Sequence, residues 1–384
     1  MCAVVLATLV PTSATAAGAR APAAPRGPKP VVTSASWHDT SAPLRVTAKR
    51  HAKAYAHQLK KSRPAPAQTM TRTLPKATSA KAPSGSGKGS ARVQSAAPVR
   101  REMPDFEANF EGVDNIDGVL PPDTNGDVGG DYFVQWVNLH FQVFDKTTGD
   151  SILGPLPGNA LWDGFGGPCE NQNDGDPIVQ YDHLADRWMM SQFALFAADG
   201  NHQCIAVSTT NDPTGSWYRY DFLVSDVNIN DYPHFGVWPD AYYMSINQFD
   251  QDTFDWAGAG AVAFERDQML LGQPAQMVSF SLLDVNPSFG GQLPADLDGS
   301  PPPDGAPGLF LEADDDAFGF PTDQLAGWEF HVDWANPGAS TFGIAGEPNW
   351  TLETAPFDMN MCGFDRSCIP SQGPASGWTP SPTG

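Results

Sequence analysis

Three aspartates each stand just before a short run of apolar and β-branched residues: Asp123, Asp176 and Asp231. Carboxylates that converge from separate strands are the pair that glycoside hydrolysis needs, one as base or nucleophile and the other as an acid whose pKa a like charge raises. Against that use, an Asp beside Gly or Pro most often caps a turn. A Glu acid is also expected, and the nearest ones, Glu170 and Glu312, do not occupy equivalent positions.

The first of these segments also resembles the start of a calcium-binding loop. Asp123, Asn125 and Asp127 place oxygen donors at alternating positions, which makes them candidate calcium ligands. The EF-hand pattern is not satisfied, because Gly126 is out of register and no bidentate Glu follows at the twelfth position. Further oxygen-rich clusters occur at 296–298 and 314–316.

Four cysteines follow the N-terminal leader: Cys169, Cys204, Cys362 and Cys368. An even number in an exported chain predicts two disulfides, for which three connectivities are open. Proximity in sequence favours Cys362–Cys368, and this leaves Cys169–Cys204.

Charge is distributed unevenly along the chain. Residues 1–101 hold 17 of the 22 Lys and Arg residues and a single acidic residue, Asp39. Residues 102–384 therefore carry 5 basic and 43 acidic residues, of which 34 are Asp, a residue of turns rather than helices. Because so acidic a body lacks the cations that grip phosphates, we exclude nucleic acid as its partner.

The first hundred residues are typical of a targeting segment followed by a linker. Residues 1–19 hold a short apolar run and then small residues at Ala-x-Ala spacing, which predicts a secretory signal peptide. Residues 20–103 are rich in Ala, Pro, Ser and Lys, which predicts a disordered linker or propeptide. Its cations offer a second interpretation, attachment to anionic cell-wall polymer or docking on the acidic body. No stretch is long and apolar enough to span a membrane.

The body, 104–370, is predicted to be all-β. Short runs rich in aromatic and β-branched residues alternate with Gly, Pro and Asp at regular spacing, which favours many short antiparallel strands. The predicted strands are Tyr132–Asn138, His140–Asp145, Arg187–Leu195, Gln203–Ser208, Trp217–Phe222, Ala241–Phe249, Gly260–Glu265, Gln276–Leu282 and Gly327–Trp334.

A longer period lies over these strands. With Asp123, Asp176, Asp231 and Asp304 as markers, the steps are 53, 55 and 73 residues. Repeats of this size that contain three or four strands are typical of propeller blades. We therefore predict a β-propeller with about four recognisable blades, and the marker aspartates would meet at one end of its channel.

Three segments of the body, Pro121–Gly129, Gly175–Trp188 and Asp231–Asp240, resemble a family of secreted bacterial proteins of unassigned function. That family carries PPDTNGxVG, GDPIVxYD followed by DRW, and DYPxFGVWPD. The turn Asp212–Trp217 is similar to blade turns in five-bladed glycosidase propellers of the arabinanase type. The resemblance implies a propeller that is secreted or held at a bacterial cell surface, and it implies no catalytic residue.

Members of that family continue past a Cys-Ile-Pro segment into further strands, whereas residues 371–384 of this chain have no strand signal. We therefore expect an irregular tail and an incomplete ring, caused by truncation or a frameshift near Pro370. An open ring would leave bare strand edges.

Two functions are compatible with these features. The first is an extracellular binding module for a glycan or a surface protein, with calcium as the one candidate cofactor. The alternative is a glycoside hydrolase or lyase that uses Asp123, Asp176 and Asp231.

Overall fold

The structure, a computed structural model, describes residues 27–58 and 108–359. The predicted signal peptide, the cysteines Cys362 and Cys368, and the tail at 371–384 lie outside the described residues. Within the described residues, no helix is long and apolar enough to cross a membrane.

Strands dominate the described chain, as the alternating aromatic and turn-forming segments predicted. In chain order the elements are β1 (Val31–Ser34), β2 (Trp37–Thr40), α1 (Leu44–Gln58), β3 (Thr124–Gly129), β4 (Tyr132–Val137), β5 (His140–Asp145), β6 (Ser151–Pro157), α2 (Gly167–Asn171), β7 (Ile178–Asp182), β8 (Arg187–Ala197), β9 (Gly200–Ser208), β10 (Trp217–Ser225), β11 (Asn228–Val237), β12 (Tyr242–Asp250), β13 (Trp256–Phe264), α3 (Arg266–Leu270), β14 (Gln276–Ser281), β15 (Leu293–Pro294), β16 (Gly308–Asp314), β17 (Gln324–His331), β18 (Thr341–Phe342) and β19 (Trp350–Glu353).

The strands form four antiparallel sheets that follow one another along the chain. Blade 1 is β3–β6, blade 2 is β7–β10, blade 3 is β11–β14, and blade 4 is β15–β19. In each blade the first strand lies innermost, and β3, β7, β11 and β15 are neighbours in that order. The all-β, propeller-like fold is confirmed, and each of the nine predicted strands corresponds to a strand of the structure.

Alternation along the strands explains how each blade packs on both neighbours. On β8, Trp188 and Met190 join the apolar core between blades 1 and 2, while Met189 joins the core between blades 2 and 3. Side chains that point to opposite faces of one sheet thus fill two separate cores. A third core, which includes Phe310 and Trp328, lies between blades 3 and 4.

A buried ion pair also joins blades 2 and 3. Asp182, fully buried at the end of β7, accepts two hydrogen bonds from Arg266, at 2.7 Å from Nε and 2.9 Å from Nη2. The Tyr242 hydroxyl donates to the same carboxylate at 2.9 Å. With these bonds, the buried charges have the partners that their desolvation requires.

The predicted disulfide between Cys169 and Cys204 is confirmed. Cys169 lies on α2, in the connection between blades 1 and 2, and Cys204 lies on β9. The bond therefore fixes that connection to the third strand of blade 2.

The fourth marker of the repeat was wrong. Blade 4 begins at β15, and Asp304 lies in the loop between β15 and β16. Val237 N–H, on the inner strand of blade 3, donates to Asp296 at 2.8 Å, which aligns the end of β11 with the residues after β15. The step of 73 residues from Asp231 to Asp304 is therefore longer than one repeat, because it includes part of the long loop between β15 and β16.

The prediction of disorder over 20–103 is wrong for part of that segment. Strand β1 pairs with β14, the outermost strand of blade 3, and β2 pairs with β10, the outermost strand of blade 2. Helix α1 then lies beside β6 of blade 1. The N-terminal segment thus runs backwards around three blades, and backbone pairing on bare strand edges orders residues that bury few apolar side chains.

Ion pairs of both polarities join this N-terminal segment to the body. Asp39, the one acid of the segment, accepts two hydrogen bonds from the buried Arg219, at 2.8 and 2.7 Å. Arg45 pairs with Asp212 at 3.4 Å at an exposed position.

One face of blade 4 is apolar and exposed. Leu309 and Leu311 alternate along β16 with the buried Phe310, so they point away from blade 3. Leu325 and Leu352 extend the exposed face. Within 27–58 and 108–359, each earlier blade is covered by the next one, and this face is not. The expectation of an incomplete ring stays a prediction.

Breaking the pair between Asp39 and Arg219 tests the role of the N-terminal segment. We expect Asp39→Ala to lower the free energy of unfolding by about 2–3 kcal/mol, because the Arg219 guanidinium stays buried and loses its charged partner. The measurement is urea denaturation at neutral pH. Arg45→Ala is the matched control and should cost less than about 1 kcal/mol, because that pair is exposed. Equal losses in the two variants would contradict the assignment.

Candidate functional site

The inner strands of the first three blades run parallel to one another, and this fixes where the marker aspartates lie. Asn125 Oδ1 accepts a hydrogen bond from Val179 N–H at 2.6 Å, and Asp127 Oδ2 accepts one from Tyr181 N–H at 2.7 Å. Both strands advance by two residues between these bonds, so β3 and β7 are parallel.

The same argument applies to blades 2 and 3. Asp176 Oδ2 accepts from Tyr232 N–H at 3.2 Å, and Gln180 Nε2 donates to Phe235 O at 2.7 Å. The inner strands therefore begin at one end of the body, which we call the leading end. Asp123, in the corresponding position of blade 1, lies at the leading end as well.

The three marker aspartates share this end but form no compact cluster. Among the described residues, their carboxylates are not brought within 4.8 Å of one another as a group. Asp123 and Asp176 both have φ of 44°, and in blade 3 the left-handed residue is Tyr232, with φ of 55°, and not Asp231. The third marker is therefore one residue out of register with the other two. The catalytic role of Asp123, Asp176 and Asp231 stays a prediction.

Asn125 and Asp127, which the sequence offered as calcium ligands with Asp123, connect blade 1 to blade 2. Their side-chain oxygens accept hydrogen bonds from two backbone N–H groups of β7, those of Val179 and Tyr181. Burial raises the pKa of Asp127, and the nearby charge of Asp298 adds to the rise against the two backbone hydrogen bonds. Calcium binding at these three residues stays a prediction, beside a structural role that the contacts show directly.

The two glutamates nearest to the markers have different environments. Glu170 accepts hydrogen bonds from Gly164 N–H at 3.0 Å and Gly166 N–H at 2.6 Å, so it orders the loop before α2. Glu312 is almost completely buried in blade 4 and accepts from Gly290 N–H at 2.8 Å. Burial and the neighbouring Asp314 raise the pKa of Glu312 well above its usual range.

An acidic cluster lies at the turn between β16 and β17. Ligand oxygens of Asp315, Asp316 and Asp323 all lie within 4.8 Å of one another, so this group could hold a metal ion. Asp315 accepts from Met359 N–H at 2.7 Å and Asp323 accepts from Phe357 N–H at 2.8 Å. The cluster overlaps the oxygen-rich segment 314–316 of the sequence.

Exposed aromatic side chains cluster near the leading end of blades 2 and 3. Phe196 lies in the hairpin β8–β9 and Phe254 in the hairpin β12–β13, and both hairpins extend beyond the starts of β7 and β11. The two rings are 6.2 Å apart, and each side chain is 50% exposed. Val227, 53% exposed, precedes β11 and accepts a backbone hydrogen bond from Gln251 N–H at 2.9 Å. We call Phe196, Val227 and Phe254 the apolar patch.

Phe254 occupies a backbone position at which the equivalent turn of blade 1 has glycine. Blade 1 has the same turn at 145–150, where Gly149 takes the left-handed position with φ of 75°. In both turns the left-handed residue donates its N–H to an Asp carbonyl at 2.8 Å, from Gly149 to Asp145 and from Phe254 to Asp250. Phe254 has φ of 60°, a conformation that is unfavourable for a bulky side chain and usual for glycine. An exposed aromatic residue at such a backbone position is a candidate for a functional role.

Sequence reasoning missed Phe196 and Phe254. A signal existed, because the segments DKTTGD at 145–150 and DQDTFD at 250–255 align, and phenylalanine replaces the glycine that the turn prefers. Phe196, with φ of 56°, lies in a β-bulge that only the strand register reveals.

A buried histidine supports the hairpin that carries Phe196. His202 Nδ1 lies 2.6 Å from Asp221 Oδ1, and Nε2 lies 3.0 Å from Asp199 Oδ1. Burial acts to lower the pKa of His202, but the hydrogen bonds and charges of the two carboxylates outweigh it and raise the pKa above 6.5.

Comparison with known proteins adds little to this geometry. No protein-family model and no curated protein matches the chain. Among solved structures it is similar to an exo-1,5-α-L-arabinanase from a bovine ruminal metagenomic library, with a TM-score of 0.26 and 11% sequence identity. The match covers 57% of this chain and 77% of that one. The propeller-like fold is established by the strand order and the blade packing.

Replacing Asn125 separates its structural role from calcium binding. We expect Asn125→Ala to lower the free energy of unfolding by about 1–3 kcal/mol, because Val179 N–H loses its acceptor. The loss should be equal in chelator and in millimolar calcium, measured by urea denaturation. Thr124→Ala, an exposed change on the same strand, should stay within about 0.5 kcal/mol. A loss seen only in calcium would instead support a calcium ligand at this position.

The environment of His202 predicts a pH dependence of stability. Because the folded pKa lies above the unfolded value of 6.5, the stabilisation is complete below pH 6.5 and is lost as pH rises through the folded pKa. We expect His202→Gln to remove this part of the slope in thermal unfolding between pH 6 and 9. An unchanged slope in the variant would show that other groups produce it.

Proposed function

We propose that this chain is a secreted binding module that holds a neutral extracellular polysaccharide at the leading end of its propeller-like body. The observation that carries the proposal is the apolar patch, where Phe254 keeps an exposed ring at a backbone position that favours glycine. Exposed aromatic and apolar side chains grouped on one surface are typical of recognition sites. Aromatic rings can stack on the apolar faces of sugar rings. The disulfide fits an oxidising compartment outside the cell.

Charge favours a neutral ligand. Residues 102–384 carry 5 basic and 43 acidic residues, so the body repels anionic polymers. Two of the five cations, Arg219 and Arg266, are already committed to buried ion pairs. A protein ligand with apolar and basic side chains is the other class that this surface would accept.

A glycoside hydrolase or lyase remains the alternative function. It is favoured by one observation, the position of Asp123, Asp176 and Asp231 at the same end of the body. Against it, Asp176 is hydrogen bonded to the next blade and Glu170 holds the loop before α2, so both already have structural roles.

Phe254→Gly tests the binding proposal without loss of the fold. Glycine relieves the left-handed backbone, so the variant should be as stable as the parent chain or up to about 1 kcal/mol more stable. Its affinity for the polysaccharide that the parent chain binds should fall at least tenfold. The measurement is binding to a panel of neutral polysaccharides, including cellulose, xylan, arabinan and β-1,3-glucan, combined with urea denaturation.

Leu271→Gly is the matched control, since Leu271 is exposed beside α3, away from the leading end, and its loss should leave binding unchanged. Reducing ends released by the parent chain and abolished in Asp176→Asn would establish the hydrolase instead. Absence of binding across the panel, or full binding by Phe254→Gly, would contradict the proposal.

A further inference from the structure

Blade 4 contains an acid pair whose environment sets it apart from the other carboxylates of the body. Glu312 is 4% exposed, Asp314 is fully buried, and both point into the interior from β16. Glu312 Oε1 accepts from Gly290 N–H, and Asp314 Oδ2 accepts from Gln324 Nε2 at 2.8 Å. Each carboxylate therefore has one oxygen in a hydrogen bond.

The other oxygens are unpaired. Glu312 Oε2 and Asp314 Oδ1 are buried and have no hydrogen-bond partner, and the side chain of Gln292, 2% exposed, has none at either amide atom. Gln292 and Asp314 both lie within hydrogen-bonding reach of Glu312, which places the three side chains together. No bond of normal length and angle reaches Glu312 Oε2, Asp314 Oδ1 or the Gln292 amide. Every buried side-chain oxygen without a donor calls for an explanation, and here three of them lie at one place.

No cation of the described chain supplies that explanation. None of the ion pairs within 27–58 and 108–359 includes Glu312 or Asp314. Two buried carboxylates side by side repel each other and are desolvated, so they require a proton or a bound cation. A proton shared between them satisfies the carboxylates but leaves the amide oxygen of Gln292 unpaired.

The surroundings fix the backbone of residues 290–292, which carries Gln292 and the donor to Glu312. Gln292 O accepts a hydrogen bond from the Ser245 hydroxyl, and Gly291 N–H donates to Asn247 Oδ1 at 2.9 Å. Gly290, the donor to Glu312, packs closely against the Trp256 ring. Ser245, Asn247 and Trp256 belong to blade 3, so the three side chains lie where blade 4 meets blade 3.

We propose that Gln292, Glu312 and Asp314 bind a calcium ion between blades 3 and 4 through their three unpaired oxygens. The donor set is entirely oxygen and carries two negative charges, which suits a hard divalent cation. The ion neutralises the acid pair and supports the contact between the blades. This site is separate from Asp315, Asp316 and Asp323 at the surface turn, and from Asp123, Asn125 and Asp127 in blade 1.

The test uses the chain freed of metal with a chelator and then titrated with calcium alone. We expect one tight site by calorimetry and a rise in Tm of about 5–10 °C when calcium reaches a hundred times Kd. Glu312→Gln combined with Asp314→Asn keeps the shape of both side chains and removes both charges. This double variant should fold without calcium at least as well as the parent chain, and it should show no rise in Tm.

Asp316→Asn is the control in the neighbouring cluster and should keep both the site and the rise in Tm. The proposal is overturned if calcium does not bind, if the double variant keeps the rise, or if Asp316→Asn removes it. Should the double variant fail to fold, Gln292→Met replaces it, and an unchanged calcium affinity in that variant overturns the proposal as well.

Discussion

Every blade of this body has two strand edges, and the need to cover them explains most of the structure. An uncovered edge presents unpaired N–H and C=O groups, which are costly when buried and prone to aggregation when exposed. At the inner edges, side chains serve as the missing strand: Asn125 and Asp127 accept the N–H groups of β7, and Asp296 accepts one from β11. At the outer edges of blades 2 and 3, the N-terminal strands β2 and β1 supply the pairing.

This constraint accounts for the unusual use of charge. Asp127, Asp176 and Asp296 accept a backbone N–H across a blade boundary, and Asp145, Asp250 and Asp333 cap local turns. The few cations are used in the same way, since Arg266 neutralises Asp182 between two blades and Arg219 holds Asp39 of the N-terminal segment. Arg219 and Arg266 are thus committed to architecture, and the proposed binding of a neutral ligand relies on the apolar patch at the leading end.

The sequence predicted the all-β class, nine strands, the Cys169–Cys204 disulfide and the first three blades, because alternation and turn residues act locally. Prediction from the sequence failed for segments whose structure depends on pairing with strands far away in the chain. Residues Val31–Ser34 and Trp37–Thr40 carry β-branched and aromatic residues, yet the Ala- and Pro-rich composition around them favours disorder, and only the edges of β14 and β10 order them. Asp304 failed as a marker because an inner strand of two residues, β15, leaves almost no signal. Phe254 was missed because the unusual backbone position of this residue becomes visible only when the equivalent turns of blades 1 and 3 are compared.

Amide hydrogen exchange at Val179 and Tyr181 tests the account of the inner edges most directly, because their N–H groups donate to the side chains of Asn125 and Asp127. If these side chains complete the edge, both amides should exchange as slowly as those in the middle of β8 and β9. Exchange at the rate of an exposed loop, with β8 and β9 still protected, would contradict it.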